Sequence, residues 1–478
     1  MKDGKKISRG ITLISLVVTI IVLLILTGVA LTMLTGENGI LRMAKTAREK
    51  TEEAQKDEEQ KLLMLEAISS DSETEYKGVK IPAGYTPTKR AGEDEVNTGL
   101  VITDAKGNEW VWIAVSADLS ACTTDEKIET ALRTHADSVV TRPSGYEDRW
   151  YDKLGTIYNG EDYSIIQYIG TDENAQTRFD EAKIYYGTIY TKTGENYINI
   201  ENAAYSAENT YYAKITDKLN DDKGCGLTYS EYNSKKSKML QSIKKNGGFF
   251  IGRYEVGYLE GRKRTSGNAN TAPTQKPVIK QNAYPYNYIT FSQAEKLVES
   301  LSSGSSDKTT SLMFGLQWDL VLKFLNEKDN SINISDCSTW GNYRDAEFKI
   351  NKGEWAKFEY FGTWYKYDDV AGINNYFENK IKKAYNSSDS DAYTGRVLLT
   401  TGATERNCKC NIYDLAGNLW EWTLEKGPYA SSFCVLRGGS FFGKGTTDPV
   451  KNHNSVTSNR CDCDYRCSSL TLLRCLKS

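Results

Sequence analysis

The chain has 478 residues, of which 39% are hydrophobic and 26% charged, and its net charge is −3. That balance supports a folded core and excludes collagenous, low-complexity and wholly disordered chains. It leaves no basic surplus to recruit nucleic acid, and a mean hydropathy of −0.54 excludes a polytopic membrane protein. Only two histidines, His135 and His453, are present, so the usual general base and metal ligand is scarce. The 31 tyrosines suit a recognition surface. At roughly 150 residues per domain, the length allows about three domains, or one large domain with insertions.

Residues 1–10 carry Lys2, Lys5, Lys6 and Arg9 against Asp3, and residues 11–34 carry no charge. As a helix that run rises ~36 Å, enough for a ~30 Å hydrocarbon core. The basic flank predicts a single-pass protein in the cell membrane with its C-terminal mass outside. A basic leader, Gly10, Ile11-Thr-Leu-Ile and a long apolar run resemble the type IV prepilin signal. The resemblance implies cleavage after Gly10 by a prepilin peptidase and methylation of Ile11. A plain uncleaved signal anchor is the alternative. Pilins usually carry at the fifth mature position a Glu that aids assembly; here Ser15 stands there. Residues 35–70 predict a stalk helix, since Ile40, Ala44, Ala47, Thr51, Ala54, Leu62 and Leu65 recur at a spacing of three to four. Glu52 and Lys56 form an i,i+4 pair on it. Residues 71–78 read as a polar linker.

From residue 79 onward the patterns predict one α+β domain reaching residue 478. Leu100–Ile102 and Glu109–Val115, around Asp104–Asn108, predict strand, turn and strand. Residues 120–235, rich in Tyr, and 345–395, rich in Lys, Asp and Asn, read as insertions. Gly247–Gly257 predicts a strand. Ser292-Gln-Ala-Glu295 predicts a capping box opening a helix to Leu301. Trp318, Val321, Leu322 and Leu325 recur at helical spacing, and Ser338–Tyr343 reads as a loop.

Tyr254–Val256, Thr290–Ala294, Gln317-Trp318, Trp340–Asn342, Asp414–Trp422 (DLAGNLWEW) and Arg437–Ser440 (RGGS) follow one another in that order. The series resembles the formylglycine-generating, or sulfatase-modifying factor, family. The resemblance implies a C-type lectin-like fold. Active members follow Arg-Gly-Gly-Ser with two cysteines, four residues apart in between, that bind copper and activate oxygen. Here those positions fall on Gly443 and Asp448. Neither is a thiol, so copper and formylglycine formation are not expected. Gly438–Lys444 has the spacing of a phosphate-binding loop, but Gly445 stands where Ser or Thr would hold Mg²⁺. Neither histidine sits in a nucleophile motif. Asp414, Asn418 and Glu421 supply oxygens for a hard cation such as Ca²⁺, although the reading preferred over metal is that they cap turns and bond the backbone. Trp420 and Trp422, two apart, predict a shared face.

After Ser440 the chain is crowded with Asn, Ser, Thr, Cys, Tyr, Asp and Gly. In the lectin-like fold this segment forms part of the ligand surface, and its composition resembles the variable region of retroelement-diversified receptors. An ordinary loop or a shifted reading frame is the alternative. The expected ligand-binding residues are Trp340, Trp420, Arg437, Phe441, Phe442, Asn452, Asn454, Asn459 and Tyr465. The expected function is display of a lectin-like domain to an extracellular protein or glycan. A formylglycine-type oxidase and a minor pilin subunit are the alternatives. Cys408 and Cys410, then Cys461, Cys463 and Cys467, form two tight groups that admit disulfides, a zinc site or free thiols.

Overall fold

A computed structural model describes residues 17–24, 27, 40–148, 188–191, 197–199, 211–212, 227, 229–261, 263, 273–302, 308–357, 362–368, 377–378, 381–385, 394–427, 434–456 and 471–475. Among them no helix is long and apolar enough to cross a membrane. This overturns the single-pass placement and transmembrane helix expected from residues 11–34. Of that run the structure describes residues 17–24 and 27, which are helical. The long helix Ile40–Ser69 is exposed and charged over most of its length. Its i,i+4 pairs are Lys45–Glu49 at 3.8 Å and Arg48–Glu52 at 2.7 Å, so Glu52 reaches back to Arg48 rather than forward to Lys56. Gly10 and Ile11 lie outside the described residues.

The chain divides into two compact units, residues 1–63 and 64–478. In the second, the expected linker is half of a hairpin. Thr74–Tyr76 pairs antiparallel with Val79–Ile81. Lys77 and Gly78 both have positive φ, 50° and 81°, as a two-residue turn matched to strand twist requires. Val79 and Ile81 are buried, whereas the other arm, Thr74–Tyr76, is polar and mostly exposed, which is why composition alone reads it as linker.

The main sheet orders Tyr85–Pro87, Val101–Asp104, Glu109–Ala114 and Gly248–Gly252, all antiparallel. Trp110, Val111, Ile113, Phe249 and Ile251 are buried on alternating faces, so the near-continuous apolar run reflects a sheet covered on both sides. Asp104 closes the turn by accepting from the Lys106 and Asn108 amides at 2.8 and 2.9 Å.

Part of the expected insertion 120–235 is core. Helix Asp125–Asp137, capped by Thr124, buries Ile128, Leu132 and Ala136. Helix Tyr229–Asn246 buries Met239, Leu240 and Ile243. The next helix, Phe291–Glu299, starts two residues before the expected box. Thr290 accepts from the Gln293 amide and Gln293 accepts from the Thr290 amide. Glu295 is turned inward instead, accepting from the Leu312 amide at 2.9 Å with Lys235 3.3 Å away. Two overlapping box patterns share this stretch, and packing selects the first. Helix Gly315–Lys328 buries Leu316, Trp318, Leu320, Val321, Leu322, Phe324 and Leu325 together with Gln317 and Asp319, as a helix packed on most sides does.

The excursion 345–395 also contributes to the core. Glu354–Lys357 pairs with Tyr365–Lys366 and Val397–Leu399. Trp355 is fully buried, its ring 4.9 Å from Tyr365 and 4.4 Å from Phe377. Glu421–Thr423, Cys434–Arg437 and Asn454–Val456 make a three-stranded sheet, and Thr471–Cys475 pairs with Lys308–Leu312. The protein is α+β.

Candidate functional site

The segment after Arg437 is folded back onto the loop 337–345. Gly438 and Gly439 reverse the chain with φ of 92° and 77°. A side chain at Gly439 would strike the Tyr343 hydroxyl, which donates to Gly438 O at 2.7 Å. Main-chain bonds then run across the two segments. Arg344 N donates to Gly443 O at 3.0 Å, and Cys337 N to Gly445 O at 3.0 Å. Gly445 N donates to Asp345 Oδ1 at 3.1 Å, and Val450 N to Cys337 Sγ at 3.4 Å.

This geometry sorts the expected ligand residues. Trp340 is buried, its indole donating to Asn333 O at 3.0 Å. Phe441 is fully buried among Tyr288, Leu398 and Leu419. Arg437 is fully buried in an ion network. These three are corrected from ligand contacts to supports, because apolar or ionic packing consumes their side chains. Trp420, Phe442, Asn452 and Asn454 are half-buried and reach the surface. Asn452 donates to Thr447 O at 3.1 Å and Asn454 to Asp448 Oδ1 at 2.7 Å. Asn459 and Tyr465 lie outside the described residues, as do Cys461, Cys463 and Cys467. Trp422 is fully buried against Phe291, unlike Trp420, since the strand begins only at Glu421.

The positions expected to hold copper in active relatives face each other. A Cβ built on Gly443 would lie 2.9 Å from Asp448 Cβ and 2.7 Å from its Oδ2. The two residues carry no thiol between them. Cys122, Cys337, Cys408 and Cys410 are free, and burial pushes the Cys337 thiol up to about 12 and Cys408 and Cys410 up to about 11. Cys337, Cys408 and Cys410 are therefore held protonated rather than as reactive thiolates.

Beneath the segment lies the ion network. Arg437 bridges Asp319 Oδ1 at 2.5 Å and Glu425 Oε2 at 2.9 Å. Arg133 and Arg142 reach Asp319 at 2.6 and 3.6 Å, and Arg142 reaches Asp148 at 3.1 Å. His453 Nδ1 sits 2.7 Å from Glu425 Oε1 and 2.6 Å from Arg437 Nη1. Burial would raise Asp319, but Arg437, Arg142 and Arg133 outweigh it and hold the carboxyl at about 2. Burial, then Arg437, hold the His453 imidazole below its ordinary value.

The residues proposed for Ca²⁺ behave differently from one another. Asn418, at φ 58°, accepts from Leu399 N and Asn342 Nδ2, both at 3.0 Å, and donates to Glu255 at 2.6 Å. Asp414, at φ 55°, accepts from Gly402 N at 2.7 Å and Asn407 Nδ2 at 3.1 Å. Both are thus taken up by turns. Glu421 is fully buried, and neither of its oxygens has a hydrogen-bond partner. Among the described residues no group of three or more His, Cys, Asp or Glu is placed to hold a metal ion. Burial raises Asp414 to about 6 and, with Glu255 nearby, lifts Glu421 well above the carboxylate range. An acid raised in the folded state binds its proton more tightly there than when unfolded. Stability is then highest at or below the unfolded value of ~4.3 and falls as pH rises through the folded one. In chelator at neutral pH, Glu421→Gln is expected to stabilise the protein by ~1–3 kcal/mol and to flatten that decline in urea titrations. Calcium that stabilises the native chain but not the variant would instead assign Glu421 to a cation.

Three further residues carried no motif; Arg344 and Tyr385 are half-buried and Arg396 is buried. Arg344 follows the Trp340-Gly-Asn-Tyr loop, and Tyr385 and Arg396 lie at or just past the end of the excursion read as insertion. The Arg396 guanidinium lies 4.0 Å from the Phe442 ring centroid. Below them, Lys382 is fully buried and donates to Tyr343 O and Ala346 O, both at 2.7 Å, pinning the Arg344 loop. Burial brings its ammonium down to about 7. The sole signal in the sequence was the position of Arg344 beside the Trp-Gly-Asn loop.

No family model matches the chain, and no curated protein matches it.

Proposed function

We propose that the α+β unit is a ligand-binding domain of C-type lectin-like type, related to the sulfatase-modifying factor family but without its oxidase chemistry, and that its ligand is a protein or glycan. The observation that carries this is the pairing of Gly443 with Asp448. The chain keeps two side-by-side positions after Arg-Gly-Gly-Ser, yet supplies no thiol for copper there. Support for the fold reading comes from the six motifs in family order. Support for binding comes from Phe442, Asn452 and Asn454, which reach the surface from a segment locked by main-chain bonds and glycine turns. Rigid presentation of aromatic and amide groups lowers the entropy lost on binding.

The test is a screen of the full chain against immobilised glycans and proteins. Saturable binding of one ligand class is expected, weakened about tenfold or more by Phe442→Ala with Asn452→Ala. Copper-dependent aldehyde formation in Cys-x-Pro-x-Arg peptides, with no saturable binding, would reverse the assignment toward the oxidase.

A further inference from the structure

We infer that Arg344, Tyr385, Arg396 and Phe442 form a preformed subsite for a sugar bearing a carboxylate or sulfate. This rests on the ligand-binding reading above and gives that ligand its chemistry.

The Tyr385 ring lies within reach of two guanidinium groups, with Arg344 at 5.0 Å and Arg396 at 5.4 Å from its centroid. Arg396, itself buried, covers Phe442 at 4.0 Å and backs the Tyr385 ring, so the half-buried Arg344 is the guanidinium that faces a ligand. Cation–ring contacts of this kind hold a guanidinium flat while leaving its edge for an oxyanion. The Arg344 guanidinium makes no hydrogen bond or ion pair among the described residues, and its buried Nε has no partner. The neighbouring carboxylate of Asp345 accepts from Gly445 N at 3.1 Å.

Four separate segments supply these side chains, and the backbone fixes them together. Tyr385 N donates to Arg344 O at 2.6 Å, and Arg344 N to Gly443 O at 3.0 Å. Gly395, at φ 77°, lets the Arg396 segment approach: a side chain there would meet Arg344 O at 2.5 Å and Tyr385 N at 2.7 Å. The positive charge is therefore held in place before any ligand arrives. A guanidinium edge takes a carboxylate or sulfate through paired hydrogen bonds. The adjacent rings offer an apolar surface to the C–H face of a sugar. An acidic peptide would satisfy Arg344 but would not need Tyr385.

The full chain should be titrated calorimetrically with a heparin hexasaccharide, an oligogalacturonate and a neutral cello-oligosaccharide. Binding of an acidic oligosaccharide is expected, with the neutral one at least tenfold weaker. Arg344→Ala and Tyr385→Ala are each expected to weaken acidic binding about tenfold, and Arg344→Lys about threefold, since an ammonium cannot form the paired bonds. Nearly unchanged thermal melts should accompany Arg344→Ala, whose guanidinium makes no hydrogen bond or ion pair among the described residues. The sulfated and uronic arms separate the two sources of charge. Acidic binding that is indifferent to Arg344→Ala and Tyr385→Ala would mean diffuse attraction and overturn the subsite. A polyglutamate peptide bound as tightly, and unaffected by Tyr385→Ala, would overturn it in favour of a peptide. Neutral glycan binding without acidic binding would overturn the subsite and leave the ligand-binding function standing. Absence of all binding would remove both.

Discussion

Arg437→Met is expected to lower unfolding free energy by ~3–5 kcal/mol, the usual result of removing one partner from a buried ion network. The fully buried guanidinium is the link between Asp319 on the central helix and Glu425 beyond the Glu421–Thr423 strand. Without it Asp319 keeps Arg133 and Arg142, and Glu425 keeps only the more distant Arg142 and His453. The network then holds three carboxylates, counting Asp148, against two arginines. Urea denaturation at neutral pH reads the loss directly. A double-mutant cycle with Asp319→Asn separates pairing from packing, and the two changes together should cost less than their sum. The pH dependence follows from Asp319, held at about 2 in the folded chain. Its stabilisation is complete above the unfolded value of ~3.9 and is lost as pH falls toward the folded one. In Arg437→Met the folded-state value rises, so the loss should be smaller and complete at higher pH. A variant as stable as the native chain would show that the network is dispensable and that Arg437 is free to serve a ligand after all.

The same residue shows what the sequence discloses and what it conceals. The Arg-Gly-Gly-Ser string marks a strand end and a glycine reversal, and both are present at Arg437–Gly439. It does not say which way the guanidinium points, because that depends on Asp319 and Glu425, distant in sequence and chosen by packing. Strands with strong apolar runs, such as Glu109–Ala114, and the central helix around Trp318 were legible because burial on most sides leaves a dense apolar pattern. The hairpin at Thr74–Ile81 was not, since its exposed arm is polar. The capping of Phe291–Glu299 was misplaced by two residues, because Glu295 is drawn inward to Lys235 and the Leu312 amide. The apolar run at residues 11–34 was read as a membrane span on composition and length, and no described helix supports that placement. Tyr385 and Arg396 left no signal, and Arg344 only its place beside the Trp-Gly-Asn loop, for a cluster made by four segments leaves no local spacing to read.

Gly443→Cys with Asp448→Cys is expected to create a dithiol where the native chain has none. The distances favour it: a Cβ on Gly443 falls 2.9 Å from Asp448 Cβ. A disulfide asks for ~3.5–4.5 Å, so the short turn between them must open by about 1 Å. Replacing Asp448 also removes the carboxylate oxygen that crowds the new side chain, at the expense of its bond from Asn454. Gly443 does not have the positive φ of Gly438 and Gly439, so its backbone admits a side chain without strain. Under oxidising conditions the double variant should lose two titratable thiols relative to its reduced form. Reduced, it should take up about one Cu(I) more per chain than the native protein, since two adjacent thiolates suit a soft monovalent metal. Competition with a chromogenic Cu(I) chelator measures this. Asp448→Cys alone is the needed control, because Cys337 lies close enough for Val450 N to donate to its sulfur from the same segment. If the double variant neither cross-links nor gains copper over that control, Gly443 and Asp448 do not occupy the thiol positions of the active family. The case against oxidase chemistry would then have to rest on other residues. If it gains both, Gly443 and Asp448 stand where a copper-binding thiol pair can be built, and one pair of substitutions separates this domain from the dithiol that its resemblance to the oxidase family implies.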